Sequence, residues 1–326
     1  MPQQVRVRRL TQVTYGASQT RGEQLPKGML LRELILRLSG SVTAAAGFAL
    51  TDLTRGDEWG IVRRIQIIAN GSDVLLNLDG CQLAYLNYFL TGGRRAKTAW
   101  AAGVVAFDTC LVVPIWSFMS KKSMDTILDT RLLSDLRLEI TWGTITDIST
   151  HAADAITVNP IIDAYGYESF GIEGPFSQSR LFRIIHTTVA ANTAFRVNLP
   201  VGHMYHGFLL NTQTTGCDTA LINNIRLIAG STVFYDLPGT VCQQWFRRRY
   251  GFEQIQDNAL GFYEPNFYSD QNFQAGWYYV DLVGDGYLSE AVDTLGLAEL
   301  YLELNIAAAS TLEVIPMQII PVRSGK

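Results

Sequence analysis

The sequence predicts an all-β protein made of two consecutive copies of one domain, each with about eight strands in a sandwich or barrel. Two observations carry this: apolar residues recur with period two along much of the chain, and a string of short motifs appears twice in the same order. Composition agrees, since 326 residues with 48% hydrophobic, 11% aromatic and 28 glycine residues can fill large cores and many turns. Only 17% of residues are charged, which leaves much of the surface suited to being covered by partners.

The duplication is clearest in residues 65–80, IQIIANGSDVLLNLDG, and 225–239, IRLIAGSTVFYDLPG, which match at eight of fifteen positions once Asn70 is left out. Leu25-Pro26-Lys27-Gly28 returns as Leu199-Pro200-Val201-Gly202, and Arg9 to Thr14 (RLTQVT) aligns with Arg183 to Thr188 (RIIHTT), both at an offset of 174 residues. Asp129-Thr130 matches Asp293-Thr294, and DLRLEI at 135–140 matches ELYLEL at 299–304, both at an offset of 164. Order is kept while the offset drifts, as insertions in loops between two copies of a domain require. Two copies are too few for a solenoid, so each needs its own core.

Leu136, Leu138, Ile140 and Trp142 alternate with Arg137, Glu139 and Thr141, and Leu300, Leu302, Leu304 and Ile306 alternate with Tyr301, Glu303 and Asn305. Period two places each apolar set on one face of a half-buried strand. The first copy offers further strands at 5–14, 30–38, 61–69, 74–78, 107–115 and 156–164, with a short one near Ile127. In the second copy they fall at 181–189, 205–211, 224–229, 233–237, 277–283 and 312–322. One helix follows Asp79-Gly80 (CQLAYLNYFL, ended by Thr91-Gly92-Gly93), and a weaker one, TVCQQWFRRRYG, follows Pro238-Gly239. Pro160 marks an edge or a bulge in the last strand of the first copy. The glycine-rich stretch 165–179 reads as a connection, giving domains at 1–166 and 180–326 with 167–179 between them.

Several chemistries are excluded. The net charge of -4 and the lack of a long Lys/Arg block argue against direct nucleic-acid binding. No apolar run approaches the about 18 residues of a membrane span, and no apolar segment follows Arg6, Arg8 and Arg9 to make a secretory signal, so synthesis in a cytosol is expected. Cys81, Cys110, Cys217 and Cys242 show neither CxxC spacing nor grouping with histidine and read as buried free thiols. His151, His186, His203 and His206 supply no metal triad; His203 and His206 fall on opposite strand faces and read as solvated or hydrogen-bonded groups near a strand start. No GxSxG elbow is present. Gly71 and Gly230 precede alternating apolar runs, not helices, so they read as hairpin turns and not as phosphate loops; Gly80 and Gly239 read as structural turns into the helices. Asn70-Gly71-Ser72 fits a glycosylation sequon, which the missing signal sequence disfavours.

A strand ending in LPxG, an IxxI(x)GS...LxG strand pair leading into a helix, and an LxLE strand near the end, all in two consecutive copies, resemble the double jelly-roll major capsid proteins of tailless icosahedral viruses with an internal membrane. The smaller bacteriophage versions, of corticovirus and finnlakevirus type, resemble the chain most, and the likeness covers nearly its whole length. It implies two tandem eight-stranded jelly rolls with a short helix in each, no enzyme activity, and a pseudo-hexagonal homotrimer tiling an icosahedral shell over an internal membrane. Partners implied are the chain itself, penton and minor capsid proteins and lipid headgroups; the location implied is the virion, assembled in the host cytoplasm.

Arg94, Arg95 and Lys97 after the first helix, and Arg247, Arg248 and Arg249 at the end of the second, carry like charge at matching positions. They either complement helix C-termini and neighbouring acids or, with Arg6, Arg8 and Arg9, form basic contacts to other subunits or anionic lipid. No cofactor is expected; Asp281, Asp285 and Asp293 are the acidic loop residues that an interfacial calcium ion would use, though no DxDxDG loop exists. The competing readings are a bicupin-type metalloenzyme and a carbohydrate-binding spike, for which the run Trp277-Tyr278-Tyr279 is the relevant feature.

Overall fold

The computed structural model describes residues 4–49, 52–54, 57–90, 98–115, 126–170, 174, 176–188, 190–214, 217–218, 221–243, 276–284 and 287–320. Two compact units meet in the chain between Phe182 and Arg183. The first holds β1 (Gln4–Thr14), β2 (Thr20–Gln24), β3 (Leu30–Ala44), β4 (Val62–Ala69), β5 (Asp73–Leu78), α1 (Gly80–Leu90), β6 (Gly103–Pro114), β7 (Leu128–Asp129), β8 (Leu136–Trp142), β9 (Ala155–Phe170) and β10 (Gln178–Phe182). The second holds β11 (Ile184–Thr188), β12 (Asn192–Leu199), β13 (Met204–Thr214), β14 (Cys217–Asp218), β15 (Ile222–Ala229), β16 (Thr232–Pro238), β17 (Trp277–Asp281), β18 (Val292–Asp293), β19 (Leu300–Ile306) and β20 (Ser310–Ile320). The stretch read as a connection from residue 167 is therefore partly strand, because β9 continues to Phe170, and the first unit extends through β10.

In the first unit β1-β9-β3-β6 form one antiparallel sheet and β2-β8-β4-β5 the other, with β10 added to β5 in parallel. In the second, β11-β20-β13-β17 and β12-β19-β15-β16 repeat the same order. Each unit is a jelly roll, eight strands in two sheets, plus a two-residue strand (β7 or β18) paired to the third long strand; in the second unit β14 also pairs with β13. The cores follow from the alternation: Leu34, Leu36, Leu38, Ile65, Ile67, Leu138, Ile140 and Trp142 are buried in the first roll, and Phe208, Leu210, Ile225, Leu227, Leu302 and Leu304 in the second. Each such side chain contributes roughly 1.5–3 kcal/mol by leaving water.

The duplicated hairpins share register to the residue. Ile65 pairs with Leu78 and Ile225 with Leu237, and both carry a bulge, between Ile67 and Ile68 in one and between Leu227 and Ile228 in the other. Gly71 (φ 80) and Gly230 (φ 56) sit at the turns in the left-handed region, as expected of hairpin glycines. The extra Asn70 shares that region (φ 50) and anchors its turn to the entry of β8. Its Oδ1 accepts from Ser134 N at 2.9 Å, and its backbone N donates to Asp135 O at 3.1 Å.

Gly80 and Gly239 are not left-handed turns. Each opens a helix against a carbonyl, so that a Cβ would lie 2.1 Å from Trp59 O in the first roll and 2.0 Å from Ile222 O in the second. α1 starts with a reciprocal cap, Gln82 N donating to Asp79 Oδ1 at 2.7 Å and Asp79 N to Gln82 Oε1 at 3.0 Å. Asn87 then ties the helix to β6, accepting from Val112 N at 2.6 Å and donating to Val112 O at 2.7 Å. In the second roll Pro238 replaces the capping Asp79, and the helix is described from Gly239 to Gln243.

Pro160 lies opposite a register shift between Ser39 and Ser41, at the point where the pairing of β9 with β1 ends at Ile161 and β9 continues toward Ala155 paired to β3, so it marks both a bulge and the start of an edge segment. β2 has no apolar face, TRGEQ being exposed throughout, whereas β12 alternates over only its last half, with Phe195, Val197 and Leu199 turned inward. The LPxG motifs mark the ends of both strands, with Gly28 (φ 97) and Gly202 (φ 94) making the turn into the next strand.

The two Asp-Thr repeats explain how those turns are held. Thr130 Oγ1 accepts from Met29 N at 3.0 Å and donates to Met29 O at 2.6 Å; Thr294 Oγ1 accepts from His203 N at 3.1 Å and donates to His203 O at 2.5 Å. Met29 and His203 are the residues directly after LPxG, and both threonines are buried. Thr130→Val and Thr294→Val keep the shape but strand a backbone N–H, buried at Met29 and part-buried at His203, so each should lower unfolding free energy by about 2 kcal/mol in urea titrations. A loss below about 0.5 kcal/mol in both would show that the clamp is dispensable.

Candidate functional site

The outward sheet faces carry charge in ordered rows. On the β1-β9-β3-β6 sheet, Arg9 Nη2 meets Asp163 Oδ1 at 2.7 Å, Asp163 Oδ2 meets Arg37 Nη1 at 3.8 Å, and Arg37 Nη2 meets Asp108 Oδ2 at 2.6 Å. This ladder of alternating sign crosses all four strands. The Arg37 guanidinium holds the Asp108 carboxyl below the usual carboxylate range through its hydrogen bonds. Beyond the ladder Glu168, whose side chain is fully buried, accepts from Arg6 Nη2 at 2.8 Å and from Arg8 Nε at 3.1 Å. The three β1 arginines are thus bound to carboxylates of β9 within their own roll.

The second roll places its ladder on the other sheet. Arg196, Glu303, Arg226 and Asp236 form one register row across β12-β19-β15-β16. Arg226 Nη1 lies 2.6 Å from Glu303 Oε1 and its Nε 3.3 Å from Asp236 Oδ2, while Arg196 pairs with Glu299 at 2.7 Å and lies over the Tyr301 ring at 3.4 Å. The matching row of the first roll is Gly22, Glu139, Gln66 and Asn77, in which only the glutamate is kept. Related sheets therefore present different chemistry at the same positions. Sequence reasoning missed both ladders, because their members read as ordinary polar positions until register aligns them.

Arg94, Arg95, Lys97, Arg247, Arg248, Arg249 and Asp285 lie outside the described residues. Asp281 Oδ1 accepts from Val283 N and Asp293 Oδ1 from Leu295 N, each at 2.9 Å, so both cap local turns. Among the described residues there is no group of three or more His, Cys, Asp or Glu arranged to hold a metal ion. Trp277, Tyr278 and Tyr279 are buried in β17, so they do not form an exposed aromatic patch.

Two expectations need correction. The thiols are not uniformly buried: Cys110 is exposed on the outward face of β6 and Cys81 is intermediate, because period two along β6 turns Cys110 away from the core beside Asp108. Cys242 is buried and donates to Tyr279 O, and burial pushes its thiol up to about 11. Nor is His206 solvated: it is fully buried where β13 shifts register against β20, between Tyr205 and Gly207, and burial pushes its imidazole down to about 3.

No family model matches the sequence, and no curated protein matches it at a significant level. Solved structures do match. The STIV MCP superposes with a TM-score of 0.75 at 12% identity, covering 98% of this chain and 97% of that one; a chain of the atomic structure of Sulfolobus turreted icosahedral virus gives 0.74 at 14% identity, covering 98% and 91%. The major capsid protein P2 from bacteriophage PM2 gives 0.64 at 16% identity, covering 99% and 100%. The protein has the fold of the double jelly-roll viral major capsid proteins.

The buried and exposed charges should respond differently to substitution. Glu168→Gln leaves Arg6 and Arg8 without their counter-charge and should cost about 2 kcal/mol in urea unfolding. Asp108→Asn, at an exposed pair, should leave the midpoint nearly unchanged; the reverse order would contradict this account. For His206 the folded pKa is depressed, so below about pH 6.5 the unfolded chain binds a proton that the fold refuses. Stability should be flat above that pH and fall as pH drops, by about 2 kcal/mol at pH 5. Urea midpoints at pH 7 and pH 5 should converge in His206→Gln, and an equal acid loss in variant and parent would contradict the assignment.

Proposed function

We propose that this chain is a non-enzymatic major capsid protein: a shell subunit that associates with itself as a pseudo-hexagonal homotrimer and tiles an icosahedral virion over an internal membrane. The observation that carries the reading is end-to-end correspondence, with both rolls matched and almost nothing left over on either side against the STIV MCP and the PM2 protein P2. Two similar rolls per chain, taken three times, approximate six-fold packing, which lets one gene product cover a flat facet. Penton and minor capsid proteins are the further partners, assembly in the host cytoplasm is the setting, and the basic clusters at 94–97 and 247–249 are the proposed contacts to subunits or lipid headgroups. An interfacial calcium ion would be an accessory to that assembly and not a cofactor.

Sedimentation of the purified chain together with metal analysis tests this against the bicupin reading. The capsid reading expects a mass of three chains of 36.2 kDa or a multiple, without stoichiometric transition metal. A stable monomer carrying one metal ion per roll would overturn it.

A further inference from the structure

Among the described residues the second roll leaves unpaired an edge that the first roll has covered, and the duplication identifies what should cover it. In the first roll the outer edge of β5 is taken by β10, in parallel, with Leu181 opposite Leu76 and Phe182 opposite Asn77. There Leu75, the counterpart of Phe234, is buried at 8% exposure. The matching strand of the second roll, β16, is paired only with β15 among the described residues and leaves Val233 and Phe234 exposed at 42% and 43%.

β10 also has a counterpart. It directly precedes Arg183 to Thr188, the segment that aligns with Arg9 to Thr14, so it corresponds to residues 4–8. QVRVR and QSRLF share Gln4 with Gln178 and Arg6 with Arg180 at the same offset of 174. Those residues are the first half of β1, an end strand paired only with β9 among the described residues, with Val5 and Val7 exposed. Among the described residues of one chain the β5 and β10 edges are joined, while the equivalent pair, β16 and the start of β1, is left over. An unpaired run of backbone N–H and C=O groups beside exposed apolar side chains is a template for another strand.

We infer that β16 of one copy pairs in parallel with residues 4–8 of β1 of a second copy, repeating the β5 and β10 pairing between molecules. Transferred by the duplication, the register sets Val7 beside Tyr235 and Arg8 beside Asp236, bringing opposite charges together. The contact is heterologous, head to tail, so it closes into a ring when the rotation allows. This rests on the shell-subunit reading and names the strands through which that subunit associates.

The test compares the parent chain with Val233→Lys/Phe234→Lys, and separately treats a Cys110→Ser, Val7→Cys/Phe234→Cys variant with a short bismaleimide. We expect the parent mass of three chains to fall to one in the lysine variant with its melting curve preserved, and the cysteine variant to give cross-linked ladders up to three chains that neither single cysteine gives. If the lysine variant fails to fold, the ladder decides alone. A trimeric parent with no ladder, or a lysine variant that stays trimeric, overturns the edge pairing and leaves the shell reading standing. A parent that is monomeric at every concentration overturns both.

Discussion

A sheet edge must be paired, covered or guarded, and this requirement governs how the two rolls differ. Within each roll the strand order joins the eight strands into two sheets with the same partners and the same hairpin bulge. What differs is the treatment of the edges: β5 is flanked by β10, whereas β16, among the described residues, pairs only with β15 and leaves its own Val233 and Phe234 exposed. A duplicated domain in which, among the described residues, one of two equivalent edges is unpaired has a built-in asymmetry, and an unpaired edge is a template for another strand.

The charge rows show the same asymmetry on the faces. A ladder of alternating sign satisfies itself, so each row holds its own strands in register while presenting no large field of one sign. The first roll carries its ladder across β1-β9-β3-β6 and the second across β12-β19-β15-β16. Faces that match through the duplication are thereby kept chemically distinct. Asn70 adds to this distinction by fastening only one of the two hairpin turns to a neighbouring segment.

The repeats were readable in sequence because each is held by a specific interaction: LPxG by a left-handed glycine, Asp-Thr by the hydroxyl that grips the residue after that turn, and the helix-opening glycines by a carbonyl too close for a side chain. The strands with clean alternation were readable for the same reason, since one buried face leaves a period of two. Strand β2 was not, because an exposed edge strand has no apolar face to advertise, and the end of β9 was not, because Gly166 and a buried Glu168 interrupt the pattern. The arginines of β1 looked free in sequence because their carboxylate partners lie some 160 positions away, at 163 and 168. Burial of His206 and exposure of Cys110 depend on a bulge and on strand phase, neither of which residue type encodes.

The central claim is that two sister rolls per chain become six around one axis. Class averages of the purified chain by negative-stain electron microscopy test it most directly. The account predicts a three-fold particle with six peripheral densities of similar size, and a population of isolated two-lobed molecules at all concentrations would contradict it.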